Sequence, residues 1–327
     1  MNNTLNQKEK LSNESFNLYC DEYHDEENNY LVLGQMFIKK MDEEYVFNYL
    51  KNSRCLNKHN KIFYLDKSEC KIKCDYHDKN FTPLHYSELD KSVEKSKIAI
   101  NWINLLKNEL TKKLFFKIFI VDLNKLDKKR FGSKNKIYNI YNKFFKISVG
   151  GIKKYLFGNK TICINKIIHH TETGLNNHTL FKYSSSLGLN KYNINILNNE
   201  IEFYSHNNRF CSDEDCFKKT HFIQLVDLII GSFMELLIYK SKNEYKIKVA
   251  ECLREIFENK KYKNYSVTFF PKYSIEELKN INQNYLNNEN ISDEEVLNRM
   301  FKFTQNFYNT FSFKMPKLKK ENLGDFI

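Results

Sequence analysis

Apolar and polar positions alternate along Phe16-Asn-Leu-Tyr-Cys-Asp-Glu-Tyr23, and a second apolar stretch follows at Tyr30-Leu-Val-Leu-Gly-Gln-Met-Phe-Ile38. This pattern predicts two adjacent strands joined by the polar connection His24 to Asn29, an antiparallel hairpin. On the pleat Phe16, Leu18 and Cys20 share one face, and Asn17, Tyr19 and Asp21 share the other. Asp21 and Glu22 then stand where the first strand runs out. By alternation Glu22 points away from Asp21 and is the poorer partner for it.

Further along, Val46, Tyr49 and Leu50 recur at helical spacing within Asp42 to Lys51, and Lys61 to Leu65 reads as a strand. Past Pro83, Ser92 to Leu110 carries Ile98, Ile100, Trp102, Ile103, Leu105 and Leu106 and predicts a helix of several turns. Leu114-Phe-Phe-Lys-Ile-Phe-Ile-Val121 is apolar on both faces, as in a central strand, and ends at Asp122. A helix is expected over Lys136 to Ser148, broken by Gly150-Gly151. A strand from Thr161 to Ile168 runs into His169-His170-Thr-Glu172, and residues 193–204 predict a further strand or hairpin.

Thr220 to Ile238 is a strongly apolar helix with Asp227 embedded in it. Gln224, Asp227 and Gly231 fall on one stripe at i, i+3 and i+7. Gly231 costs about 1 kcal/mol of helix propensity but lets another group approach beside the acid. Glu244 to Asn259 and the segments after Ser274 and Ser292 predict helices.

Composition changes this picture only in part. The chain has 327 residues, 41% hydrophobic and 15% aromatic, enough for a full core. The net charge of +12 favours an anionic partner such as nucleic acid. That charge comes from 47 Lys against five Arg, so bidentate phosphate forks are few. The eight cysteines are scattered, no secretory signal opens the chain, and no stretch reaches the roughly 18 apolar residues of a membrane span. A soluble cytoplasmic protein with reduced thiols is expected, with no membrane partner. Nucleophile elbows, Walker loops and dinucleotide-binding glycine loops are absent from the sequence.

Three acids remain attached to elements that otherwise read as core: Asp21, Asp122 and Asp227. Their recurrence suggests convergence on one site, where divalent cations would offset the mutual repulsion. Oxygen-only ligation points to Mg²⁺ or Mn²⁺, and a pair of such ions suits phosphodiester hydrolysis.

Asp21-Glu22, Leu33-Gly34, Gln224-Leu-Val-Asp227-Leu-Ile-Ile-Gly231 and Phe270-Pro271 together resemble the family catalogued as domain of unknown function 3800. The resemblance covers residues 16 to about 272. It implies an α/β, ribonuclease H-like mixed sheet flanked by helices, and a metal-dependent nuclease linked with bacterial defence against phage. The resemblance leaves the C-terminal segment unexplained; the residues themselves predict a flexible polar arm over 1–15 ahead of a main domain over 16–272, and a helical C-terminal extension over 273–327 that could dock a protein partner. Tyr23 replaces the small hydroxyl residue common in that family, and Val226 replaces Ala. The family's middle motif opens on an acid, which Pro83-Leu84-His85-Tyr86 lacks; Glu88 is the residue that could compensate. The expected ligands are thus Asp21, Asp122, Asp227 and Glu88, with Glu22 and His170 as further catalytic candidates and RNA or DNA as the partner. His169, His170 and Glu172 could line the cleft, and Lys128-Lys129-Arg130 and Lys153-Lys154 could track phosphates.

Two rival readings stand beside this one. Cys70, Cys74 and His77 with Cys211, Cys216 and His221 could hold a structural zinc, although neither spacing is the tight knuckle. A ribonuclease H-like scaffold lacking one acid could instead serve as a catalytically silent nucleic-acid-binding or assembly subunit.

Overall fold

The computed structural model describes residues 15–54, 83–107, 113–132, 136–171, 183, 187–207, 209, 211–238, 241, 243–258 and 264–271. The expected N-terminal arm, the strand at 61–65, the Cys70-Cys74-His77 cluster, Glu172 and the C-terminal helices lie outside the described residues.

The hairpin forms as its pattern predicts, and it organises the sheet. Strand β1 (Ser15–Asp25) pairs antiparallel with β2 (Tyr30–Lys39). β1 does not run out at Asp21. It continues to Asp25, whose carboxylate accepts the Asn28 side-chain amide at 2.8 Å and so anchors the turn. Helix α1 (Glu43–Ser53) follows, then a 3-10 turn at Tyr86–Lys91 and helix α2 (Val93–Lys107). Strand β3 (Leu114–Asp122) pairs antiparallel with β2, which places it inside the sheet as its two apolar faces require.

Helix α3 (Lys136–Phe157) passes through Gly150-Gly151 without the expected break. A Cβ at position 150 would lie 2.6 Å from the Tyr192 ring, so a side chain there would collide with a neighbour. Tertiary packing thus explains Gly150, where local propensity had suggested a helix end. Strand β4 (Ile162–His170) lies parallel beside β1. The segment 193–204 yields two short strands, β5 (Ile194–Ile196) and β6 (Ile201–Tyr204), both parallel to β4 and not a hairpin of their own. Helices α4 (Glu214–Ile238) and α5 (Glu244–Glu258) precede β7 (Tyr265–Phe270), which pairs parallel with β3.

Among the described residues this is an α/β fold with a seven-stranded mixed sheet in the order β5-β4-β1-β2-β3-β7, β6 also pairing with β4. Alternation along β1 divides the core in two. Phe16, Leu18 and Cys20 pack with Phe144, Phe145 and Ile152 of α3, whereas Tyr19 packs with Phe222 of α4 and with Trp102 and Leu253 in one cluster. Helix α4 crosses the sheet closely because Gly34 has no side chain. A Cβ there would stand 2.4 Å from Ile230 and 2.8 Å from Val226. Contrary to the sequence expectation, α4 is long and apolar enough to cross a membrane by length and composition. Its most apolar window is 89% buried against the rest of the fold, so it serves here as the core helix.

Cys211 and Cys216 are joined in a disulfide, which corrects the expectation of reduced thiols for this pair. Their neighbour His221 is fully buried and donates Nδ1–H to the Phe217 carbonyl at 2.9 Å. These three side chains therefore do not form half of a zinc site.

Candidate functional site

The register of β1 and β4 creates two carboxylate–imidazole pairs on opposite faces of the same two strands. Cys20 pairs with His169, so the next residues, Asp21 and His170, stand side by side. Successive side chains alternate in face, which sends Asp21 and His170 toward α4 and Glu22 and His169 toward α3. On the α4 face His170 Nδ1 lies 3.1 Å from Asp21 Oδ1. On the α3 face His169 Nε2 lies 3.1 Å from Glu22 Oε2 and also meets the Tyr141 hydroxyl. His169 is wholly buried and donates Nδ1–H to the His170 carbonyl at 2.7 Å. Burial pushes its pKa down to about 4, so it is neutral at physiological pH. Glu22 is thus separated from Asp21 by the thickness of the sheet and belongs to a buried structural network.

The α4 face carries the convergent groups. Asp227 reaches it from the middle of α4, where Gly231 leaves room for Tyr86: a Cβ on that glycine would stand 2.2 Å from the Tyr86 ring. The Tyr86 backbone N–H donates to Asp227 Oδ2 at 2.7 Å, and His85 Nε2 lies 3.5 Å from Asp227 Oδ1. Burial raises the Asp227 pKa to about 6; the His85 charge opposes that rise and the negative charge of Asp21 adds to it. The charge of Asp21 acts on Asp227, which places the two acids near one another in the cleft.

A third imidazole completes the group. His206, two residues past β6, places Nδ1 2.9 Å from His170 Nε2, and its ring centre lies 4.6 Å from that of His85. Its pKa is pushed down to about 4, chiefly by burial and then by the charges of His85 and His170. A chain of contacts therefore runs from Asp21 through His170 and His206 to His85 and Asp227. The sequence reading missed His206 altogether and quoted His85 only within a motif. No periodicity or local spacing marks either one, because each reaches the cleft from an irregular segment.

Of the other expected ligands, Asp122 is not brought to this group and Glu88 stands only at its rim. Asp21 pairs with Gly34 and Gly34 with Ile118, whereas Asp122 pairs with Tyr30. Asp122 is thus four positions further along β3 and two strands across, roughly 16 Å away by strand geometry. Its carboxylate accepts the Asn124 backbone N–H at 2.9 Å and has Lys125 Nζ at 3.9 Å. Glu88 stands at the rim of the cleft, where Lys95 Nζ lies 2.5 Å from Oε2. The hydrogen bond from Lys95, more than any other influence, holds the Glu88 carboxyl below its usual range. Lys128, Lys129 and Arg130 form a 3-10 turn past β3, and Arg130 Nε pairs with Asp127 at 3.0 Å. Lys153 is buried and donates to the Gly158 carbonyl at 3.0 Å, so it faces no cleft.

The oxygen-only set of four carboxylates is consequently not assembled. Among the described residues no group of three or more His, Cys, Asp or Glu side chains is arranged to hold a metal ion. What is assembled is a pair of carboxylates interleaved with three imidazoles. Compared with protein-family models, with curated proteins and with solved structures, the chain matches none.

Proposed function

We propose that the protein is a divalent-metal-dependent nuclease that hydrolyses phosphodiester bonds of RNA or DNA from the cleft between β1, β4 and α4. The observation that carries this reading is the Asp21–Asp227 pair. Two acids from distant parts of the chain stand near enough for the charge of Asp21 to act on Asp227, and imidazoles are the basic groups placed against them. Burial of one acid beside another is costly, and the raised proton affinity of Asp227 reports that cost. A cation between them would offset it.

Asp21 and Asp227 are the residues that would hold the ion, and His170 and His85 are the imidazoles paired with them. Carboxylate ligands suit Mg²⁺ and Mn²⁺ alike. A bound ion of this kind supplies an activated water and stabilises charge on the phosphate. Neutral His206 could accept or return a proton at the edge of the cleft. A mixed sheet built on a hairpin, with helices on both faces, supports the ribonuclease H-like reading of the fold.

The test combines a metal-dependent thermal shift with cleavage of labelled single-stranded, double-stranded and hybrid nucleic acids in Mn²⁺. Wild type is compared with Asp227→Asn. Saturating Mn²⁺ at about a hundred times its dissociation constant should stabilise the wild type by roughly 2.7 kcal/mol and the variant by far less. Cleavage should disappear in the variant. Nucleic-acid binding with neither a metal response nor cleavage would replace this reading with that of a silent binding subunit.

A further inference from the structure

Helix α4 brings a second polar residue to the cleft besides Asp227. Gln224 lies one turn earlier and is fully buried. Its Oε1 accepts from Arg54 Nη2 at 2.5 Å, and its Nε2 donates to the His206 backbone carbonyl at 2.6 Å. Arg54 follows α1, is also fully buried, and stacks its guanidinium over the Trp102 ring at 5.0 Å. Trp102 is itself pinned by a hydrogen bond from its Nε1 to the Leu50 carbonyl at 3.0 Å.

The chemistry of these groups leaves one arrangement. A guanidinium has donors only, so the amide oxygen of Gln224 must face Arg54. The amide nitrogen then faces the other way and requires an acceptor, which the His206 carbonyl provides. Arg54 therefore orients Gln224, and Gln224 holds the segment that carries His206. The His206 ring is left to meet His170 at 2.9 Å.

We propose that Gln224, oriented by Arg54, is the positioning residue for His206, fixing the third imidazole of the site from beneath. This inference rests on the reading of the cleft as a nuclease site, but the clamp itself is a matter of structure and is tested separately. Glutamate at 224 keeps the acceptor for Arg54 and removes the donor to His206. The variant thus retains the buried contact of Arg54 while releasing the loop.

The experiment compares wild type, Gln224→Glu, His206→Ala and the double variant in Mn²⁺-dependent cleavage, alongside amide hydrogen exchange at His206 and Asn207. Gln224→Glu should lower kcat roughly 10- to 100-fold with KM within about twofold, as removal of an outer support for a site group does. The double variant should be no slower than His206→Ala alone, because both changes disable one device. Exchange at His206 and Asn207 should quicken in Gln224→Glu and stay as in wild type in Asp227→Asn. An unchanged kcat in Gln224→Glu, or losses that add in the double variant, would overturn the proposal. If the wild type cleaves nothing, the nuclease reading fails and the exchange measurement alone decides the clamp: unaltered exchange in Gln224→Glu overturns it. Should Gln224→Glu not fold, Gln224→Met removes both contacts at similar volume and is held to the same outcomes.

Discussion

Across 141 residues of chain, the backbone N–H of Tyr86 donates to the Asp227 carboxylate at 2.7 Å, and the absence of a side chain at Gly231 makes that approach possible. Two opposite effects meet at position 231. Alanine would gain about 1 kcal/mol of helix propensity, but its Cβ would stand 2.2 Å from the Tyr86 ring. Overpacking of this kind costs about 1–3 kcal/mol or more. Gly231→Ala should therefore lower stability in urea denaturation and weaken the Mn²⁺ response. A stabilised variant would show that Tyr86 yields easily.

Gly34 makes a similar allowance on the sheet side. Gly34→Ala should destabilise by about 1–3 kcal/mol, because the new methyl meets Ile230 and Val226. The double variant Gly34→Ala, Ile230→Ala should recover part of that loss relative to the sum of the single changes. Strict additivity in a thermal or chemical denaturation cycle would mean that α4 shifts as a body instead.

Asp122 and Asp21 have the same chemistry but different rows of the sheet. Asp21→Asn should reduce Mn²⁺-dependent cleavage to background, whereas Asp122→Asn should leave kcat within about threefold, since a group some 16 Å distant by strand geometry cannot share the ion. Equal losses in the two variants would return Asp122 to the site.

Lys117 supplies a test of pH dependence away from the cleft. It is buried at the sheet–α3 interface, where Gly151 leaves space for the ammonium, and burial lowers its pKa from 10.5 to about 7. The unfolded chain holds this proton up to about pH 10, so between pH 7 and that value the unfolded state binds more protons than the folded one. Folding stability from this residue therefore rises with pH across that window. Lys117→Met should be more stable than wild type at pH 7 and below, and its advantage should shrink as pH approaches 10. Guanidinium titrations at pH 6, 8 and 10 would check this; an advantage constant with pH would mean that the amine escapes burial.

What the sequence determined about this protein is local in origin. Alternation along Phe16 to Tyr23 sorted Leu18 and Cys20 from Tyr19 and Asp21, because the pleat has a period of two whatever surrounds it. The apolar run at Leu114 to Val121 identified an inner strand, and the stripe of Gln224, Asp227 and Gly231 followed from helical spacing alone. Only the tertiary structure decided which of these acids meet. Asp21, Asp122 and Asp227 look alike in sequence, but strand register sets the row of each, and register depends on pairing between segments far apart. The same holds for His170, which joined Asp21 because β4 pairs with β1 at one register, and for His85 and His206, which arrive from irregular segments with no period to read. Gly150 shows the reverse error: helix propensity marked a break, and the Tyr192 ring packed against the glycine as the helix continued. Local preferences are worth about 1 kcal/mol per residue, and burying one side chain in a core is worth more, so packing settles the outcome wherever the two disagree.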